Sequence, residues 1–253
     1  MDSGATVVGR VGAVLRALAA REPDGATTTG LATAVGLPRP TAHRLLSALR
    51  EEGMTERDEA SGAWHLGPEC YLLGAAATTR HDIAPAAREA VLRIARETGE
   101  SAFFSVRRGD ETVCLLREDG SFPIRSHVLH EGIRFPLGVA SAGMVILAFL
   151  PERERDAYLA RADLAPGHGE QHTTEGLRER IADTRKRGYA VNPGLIVTGS
   201  WGLGAAVFDA HEEPRWALSI NGIESRLAPP RQRELGELLL REAHQLGTRM
   251  ARH

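Results

Sequence analysis

The chain has 253 residues, a formal net charge of −2 at pH 7 and 42% hydrophobic residues, enough for one small and one medium domain, with no overall basic excess to mark a nucleic-acid binder. No apolar run is long enough to cross a bilayer, and the opening "MDSGATVVGR" lacks the basic-then-apolar layout of a signal peptide, so a cytoplasmic location and no membrane partner are expected. Cys70 and Cys114, without a CxxC spacing, exclude a disulfide framework.

Ala5 to Ala20 predicts a first helix with Val7, Val11, Val14, Leu15 and Leu18 as its inner stripe. "GLATAVGLPRPTAHRLLSALREEG", Gly30 to Gly53, then stops and restarts around Gly36-Leu37-Pro38. Such a break turns a corner between two packed helices: Thr27 to Thr29 offer an N-cap, Ala32 a close crossing, and Gly36 a turn at positive φ. In the second helix of the pair Ala42, Leu45, Leu46 and Leu49 point inward. Pro40, Arg44 and Ser47 lie opposite, with Thr41 and His43 on the flanks. Between Gly36 and Arg50 there are three arginines, Arg39 among them, and no carboxylate. Residues 1 to 66 as a whole hold seven Arg against eight Asp and Glu, so any attraction to DNA comes from this patch together with Arg57. Met54–Arg57 and Ala63–Leu66 read as short strands around "DEASG", whose Asp, Ser and Gly are turn formers. Three helices followed by a hairpin is the order of a winged helix-turn-helix. The hairpin tip is acidic, which keeps it off phosphate and leaves the phosphate contact to Arg57.

The boundary is expected between Gly67 and Asp82, with an apolar linker helix over Tyr71–Ala77 that is suited to packing or dimer contacts. Beyond it, Ile83–Thr98 predicts an amphipathic helix closing at Gly99. Ala102–Arg107 and Glu111–Arg117 form a hairpin around "RGD", and Pro123–Leu129 a further strand. Gly138–Leu150 is a buried helix, Pro151 starts a charged one, and Thr174–Arg187 is a helix ending at Gly188. Tyr189–Asn192, Leu203–Asp209 and Trp216–Asn221 are strands, and Pro229–Arg252 a long amphipathic helix. Helices mixed with a largely antiparallel sheet make an α+β domain.

Six segments in order, "GLPRPTAHRLLSALREEG", "WHLGPE", "PLGVASAGMVILAFLP", "RKRGYAVN", "GAAVFDA" and "ALSINGIESRL", resemble the IclR-type bacterial transcription regulators over almost the whole chain. The resemblance implies a winged helix-turn-helix over 1–66, a linker helix over 67–81 and a GAF-like α/β effector domain over 82–253. It also implies a homodimer, or a dimer of dimers, on an inverted-repeat operator of duplex DNA, with binding modulated by a small-molecule effector. For DNA it points to Arg39, Pro40, Thr41, His43, Arg44, Ser47 and Arg57; Thr41, His43 and Arg44 match the family, while Pro40 replaces a usual serine and Arg39 a usual lysine. For the effector it points to Ser141, Ala142, Asn192, Trp201, Gly202, Ser219 and Asn221. Asn192 stands where the family has an acidic cluster, and Gly202, after Trp201, stands where a cysteine is common. The implied effector is therefore an organic acid or aromatic compound, neutral or anionic, with an apolar body, and Trp201 is expected to stack on it or close the pocket.

Two readings compete. In one, a GAF-like small-molecule-binding or metal-dependent enzyme domain carries a vestigial winged helix. His127 and His130 are three apart, and His168 and His172 four apart within "PGHGEQH", which is glycine-rich and reads as a loop with exposed histidines. Ser105 and Ser141 have no assigned base, and no P-loop, HExxH or nucleophile elbow appears. The expectation is a chain with no cofactor, metal or catalytic residue. In the other reading the chain is a ligand-independent interaction protein, and Gly202, Gly204, Ala205 and Ala206 serve only close packing of strand and helix.

Overall fold

The structure, a computed structural model, describes residues 6–78, 84–124, 128–229 and 231–250. It divides into two compact units, Met1–Asp82 and Ile83–His253.

In the first unit, α1 (Val7–Ala19) precedes α2 (Thr28–Ala34) and α3 (Arg39–Glu51), followed by β1 (Thr55–Arg57), β2 (Trp64–Leu66) and α4 (Pro68–Thr78). The Thr27 hydroxyl caps α2 by accepting from Gly30 N at 3.1 Å. The chain then turns at Gly36, whose φ is +65°. Val14, Leu18, Leu31, Leu46, Leu49 and Trp64 form the core. Val7, expected on the inner stripe, is 68% exposed and is the first residue of the helix. β1 and β2 pair antiparallel, Arg57 opposite Trp64, and Thr55 Oγ1 donates to Leu46 O at 2.9 Å, tying the wing to α3. Among the described residues of α4, Tyr71 to Ala77 are all exposed.

In the second unit α5 (Ala84–Thr98) leads into β3 (Ser101–Arg108) and β4 (Glu111–Glu118), then β5 (Arg134–Pro136), α6 (Ser141–Phe149) and α7 (Glu152–Arg161). A short α8 (Ala165–His168) and a 3-10 turn (Glu170–His172) precede α9 (Thr174–Arg187). β6 (Ala190–Pro193), β7 (Ser200–Phe208), β8 (Pro214–Ile223), a short α10 (Glu224–Leu227) and α11 (Arg231–Met250) complete it. The strands form one antiparallel sheet in the order β5-β4-β3-β8-β7-β6. Side chains alternate across it. Phe104, Leu218, Ile220, Leu203 and Ala205 pack on the α5 and α11 side, while Ala190, Ala206 and Ala217 pack with α6 and α9.

Three expectations need correction. The strand expected at Pro123–Leu129 is not formed at its described positions 123, 124, 128 and 129, while 125–127, including His127, lie outside the described residues; the described edge of the sheet is β5, where Thr112 pairs with Phe135. "PGHGEQH" is two short helical turns rather than an open loop, and His172 is 1% exposed rather than on the surface. The C-terminal helix is described over Arg231–Met250, with Pro229 in a turn outside it; residues 230 and 251–253 lie outside the described residues.

Candidate functional site

The outer surface of α3 is built by its own periodicity. Ala42, Leu46 and Leu49 are buried, so Arg39, Pro40, His43, Arg44 and Arg50 are turned to solvent, with Thr41 and Ser47 half-buried between. No side chain caps the helix, which leaves the first-turn N–H groups of Arg39 and Thr41 as donors at the positive end of the helix dipole. Pro40 removes the donor between them. The His43 ring sits edge-on to Trp64 at 6.2 Å between centroids, and Trp64 Nε1 donates to Thr28 Oγ1 at 2.9 Å. A single buried indole thus references α2, α3 and the wing to one another.

In the wing, Asp58 accepts from Ser61 N (2.6 Å) and Ser61 Oγ (2.7 Å). These bonds hold its carboxyl below the usual range, so the tip stays charged. Arg57 Nε donates to Gly62 O at 3.2 Å and its guanidinium lies 5.6 Å from the Trp64 ring. Arg57 therefore has a role in the hairpin itself, a role its sequence position gave no sign of.

In the second unit, the sheet face toward α6 collects Ser105, Asn192, Gly202, Gly204, Ser219 and Asn221, since Asn192 is opposite Gly202, Gly202 opposite Asn221, and Gly204 opposite Ser219. α6 lands on the glycines. A Cβ on Gly202 would lie 2.7 Å from Asn221 Oδ1 and 3.2 Å from Ser141 Oγ, and one on Gly204 would lie 3.0 Å from the Ser141 carbonyl. A cavity of about 10 Å³ remains, lined by Ala140, Ser141, Asn192, Ile196, Gly202 and Asn221 among others, room for about one water. Ser219 Oγ is fully buried and has no hydrogen-bond partner among the described residues.

Of the residues expected around an effector, Ser141, Asn192, Gly202 and Asn221 meet at this cavity, while Ala142 and Ser219 lie one step deeper beneath Gly204. Trp201 does not join them. It alternates with Gly202 along β7, so its ring faces the opposite side of the sheet, beside the α5 and α11 core. It neither stacks in the cavity nor closes it. Asn192 is already engaged: Nδ2 donates to Val139 O (2.8 Å) and Oδ1 accepts from Leu195 N (2.9 Å).

That contact belongs to a set which sequence reasoning missed. The segment leading into α6 has three successive carbonyls held by three elements. Leu137 O accepts from Tyr158 Oη (2.7 Å), Gly138 O from Arg180 Nη1 (3.0 Å) and Val139 O from Asn192. Gly138 takes φ +90°, a conformation open to glycine. The only signal in the sequence is the buried helix that follows; nothing there pairs Tyr158 or Arg180 with a backbone 21 or 42 residues away. Ser105 is buried in the sheet face. His168 and His172 lie 5.4 Å apart by ring centroid, with His172 Nδ1 2.8 Å from His168 O. Among the described residues no group of three or more His, Cys, Asp or Glu could hold a metal ion, and no helix is long and apolar enough to cross a membrane.

Comparison with known proteins bears on both units. The IclR helix-turn-helix domain matches residues 7–59 and the bacterial transcriptional regulator IclR C-terminal domain matches residues 75–248. The chain is 31% identical over 224 residues to the glycerol operon regulatory protein of Streptomyces griseus, covering 87% of this chain and 85% of that protein. It is 28% identical over 223 residues to the transcriptional repressor IclR of Escherichia coli, covering 86% of this chain and 80% of that one. The crystal structure of an IclR homolog from Microbacterium hydrocarbonoxydans complexed with 4-hydroxybenzoate superimposes with a TM-score of 0.76 at 21% identity, covering 96% of this chain and all of that one (100%). With a DNA-binding winged helix at one end and an effector-binding domain at the other, the chain belongs to the IclR family of bacterial transcriptional regulators.

Proposed function

We propose that this regulator binds an inverted-repeat operator as a homodimer, or a dimer of dimers, through Thr41, His43 and Arg44 at base edges, with Arg39, Pro40, Ser47 and Arg57 along the backbone. On this reading the winged helix belongs to 1–66, the linker to 67–81, with its described helix at Pro68–Thr78, and the effector domain to 82–253. The observation that carries this reading is the outer surface of α3, exposed and free of carboxylates through its first turns, in a chain of this family. An acidic wing tip held charged by Ser61 supports an approach in which the tip stands away from phosphate.

The effector is an organic acid or aromatic compound bound under α6, at Ser141, Gly202 and Asn221. The helix start there has no side-chain cap, so it offers N–H donors to an anion, and the Microbacterium protein was crystallised with an aromatic acid. A 10 Å³ cavity admits no such molecule as it stands. The effector therefore binds a conformation in which the Leu137–Ala140 segment has moved, and that difference in affinity between conformations is what ties the ligand to DNA. A second reading, in which Gly202 and Gly204 serve close packing and the effector lies elsewhere, is favoured by the 3.0 Å approach of Ser141 to Gly204.

Operator footprinting with and without small organic acids and aromatics tests both parts. Gly202→Ala fills the cavity and should abolish the ligand response while DNA protection stays within about twofold. An undiminished response in that variant would move the effector site away from α6.

A further inference from the structure

The effector domain holds a second and larger space. α9, the edge strand β6 and the approach to α11 enclose a cleft of about 310 Å³. Arg180 and Arg187 line it from α9, Val191 from β6, Leu195 from the loop after it, and Trp201 from β7. The cleft and the cavity under α6 share no lining residue.

Arg180 stands out among these side chains. Among the described residues it pairs with no carboxylate. Nη1 donates to Gly138 O and lies 3.5 Å from Gln171 O. Nε and Nη2, which form the other edge of the guanidinium, are closed off from solvent and have no hydrogen-bond partner among the described residues. That edge matches the two oxygens of a carboxylate, and this chain uses it elsewhere: Arg161 Nε and Nη2 donate to Asp110 Oδ2 and Oδ1 at 2.9 and 2.6 Å. Burial brings the Arg180 pKa down to about 10, which still leaves the group charged at neutral pH. The other charged residues of the lining, Arg187 and Asp183, pair with each other at 3.4 Å, so the cleft keeps one unbalanced positive charge. The indole of Trp201 and the side chains of Val191 and Leu195 give it an apolar wall.

We propose that this cleft is a second ligand site, taking a monocarboxylate with a planar apolar body: the carboxylate on Nε and Nη2 of Arg180, the plane against Trp201. Because those nitrogens are shielded, the carboxylate reaches them as Arg180 turns into the cleft and releases Gly138 O. The cavity under α6 lies on the far side of the same two segments. Ala140 follows Gly138 and lines the cavity, and Ile196 lines it while its neighbour Leu195 lines the cleft. That link to the effector cavity rests on the proposed effector reading; binding in the cleft does not.

Calorimetry of the full-length protein, without DNA, tests the site with benzoate and its neutral isostere benzamide as probes, on wild type and on Gly202→Ala, in which the other cavity is filled. Benzoate should bind Gly202→Ala, with benzamide at least tenfold weaker. Arg180→Gln should weaken benzoate at least tenfold, and so should Trp201→Leu, which leaves Arg180 in place and serves if the first variant does not fold. Benzoate heats that vanish in Gly202→Ala, or that persist unchanged in Arg180→Gln or Trp201→Leu, would overturn the proposal. So would equal affinity for the two probes, or no benzoate binding at millimolar concentration. A failure of the effector reading is seen elsewhere, in operator protection that no acid alters.

Discussion

Arg44 is exposed on the outer surface of α3, five residues before the buried Leu49 that anchors the helix. Its removal should therefore leave the fold intact and act on DNA alone. If its guanidinium pairs with a guanine, Arg44→Ala costs about 1–3 kcal/mol of operator affinity and relaxes preference at one base pair. If it holds a phosphate, affinity falls alike on all sequences and the salt slope drops by about one. Binding titrations across a salt series on operator and scrambled DNA separate the two, and an unchanged affinity together with an unchanged slope would remove Arg44 from the interface. Arg57 is less simple, since its Nε is bonded to Gly62 O and its charge faces Trp64; replacing it disturbs the wing as well as any phosphate contact.

The 3-10 turn Glu170–His172 and α9 brace the segment that leads into α6. His172 is 1% exposed, and burial first, then the neighbouring charge of Arg180, lowers its pKa from the ordinary value of 6.5. His168 also faces it. Because the folded state resists the proton, the unfolded chain binds more protons as pH falls through the ordinary histidine range. This contribution is complete above about pH 6.5 and is lost progressively below it, down to the lowered folded pKa. The effector domain should thus unfold at lower urea concentration as pH falls through that window. His172→Gln should flatten this dependence, and a variant with the wild-type pH slope would show that another group sets it. The lever acts through Arg180, which touches both this turn at Gln171 O and the α6 approach at Gly138 O.

At the level of the whole molecule, α4 is the element the single chain does not explain. Tyr71, Leu72 and Leu73 are 77%, 56% and 52% exposed, on a helix that is apolar all round and therefore belongs in a packed environment. The start of α1 adds Val7 and Val8, 68% and 79% exposed. A second copy of the chain covers such surfaces in the proposed homodimer. Burying one leucine fully is worth about 1.5–3 kcal/mol, so Leu72→Glu with Leu73→Glu should raise the dimer dissociation constant by about 100-fold or more. Glutamate keeps helix propensity near that of leucine, so helix content should hold. Sedimentation velocity across a dilution series measures the shift, and an unchanged profile would place the dimer contact on another surface.

Local chemistry made the winged helix legible in the chain itself. Thr27 as a cap, Gly36 at positive φ and the spacing of Ala42, Leu46 and Leu49 act within a few residues of one another, and each does in the structure what its position implied. The same holds for α9, ended by Gly188 at φ +84°. Sheet alternation was as decisive, yet its outcome for Trp201 depended on which face α6 covers, and no local signal states that. Register placed Gly202 over the cavity and hence its neighbour Trp201 on the far side. The β5 edge went unseen because a three-residue strand, Arg134–Pro136, is too short to show a period, and its pairing with β4 comes from backbone 23 residues earlier. The triple clamp of Tyr158, Arg180 and Asn192 on Leu137, Gly138 and Val139 was beyond sequence reading for a related reason: side chain to carbonyl bonds between distant segments leave no periodicity, and only the packed domain brings their partners within 3 Å.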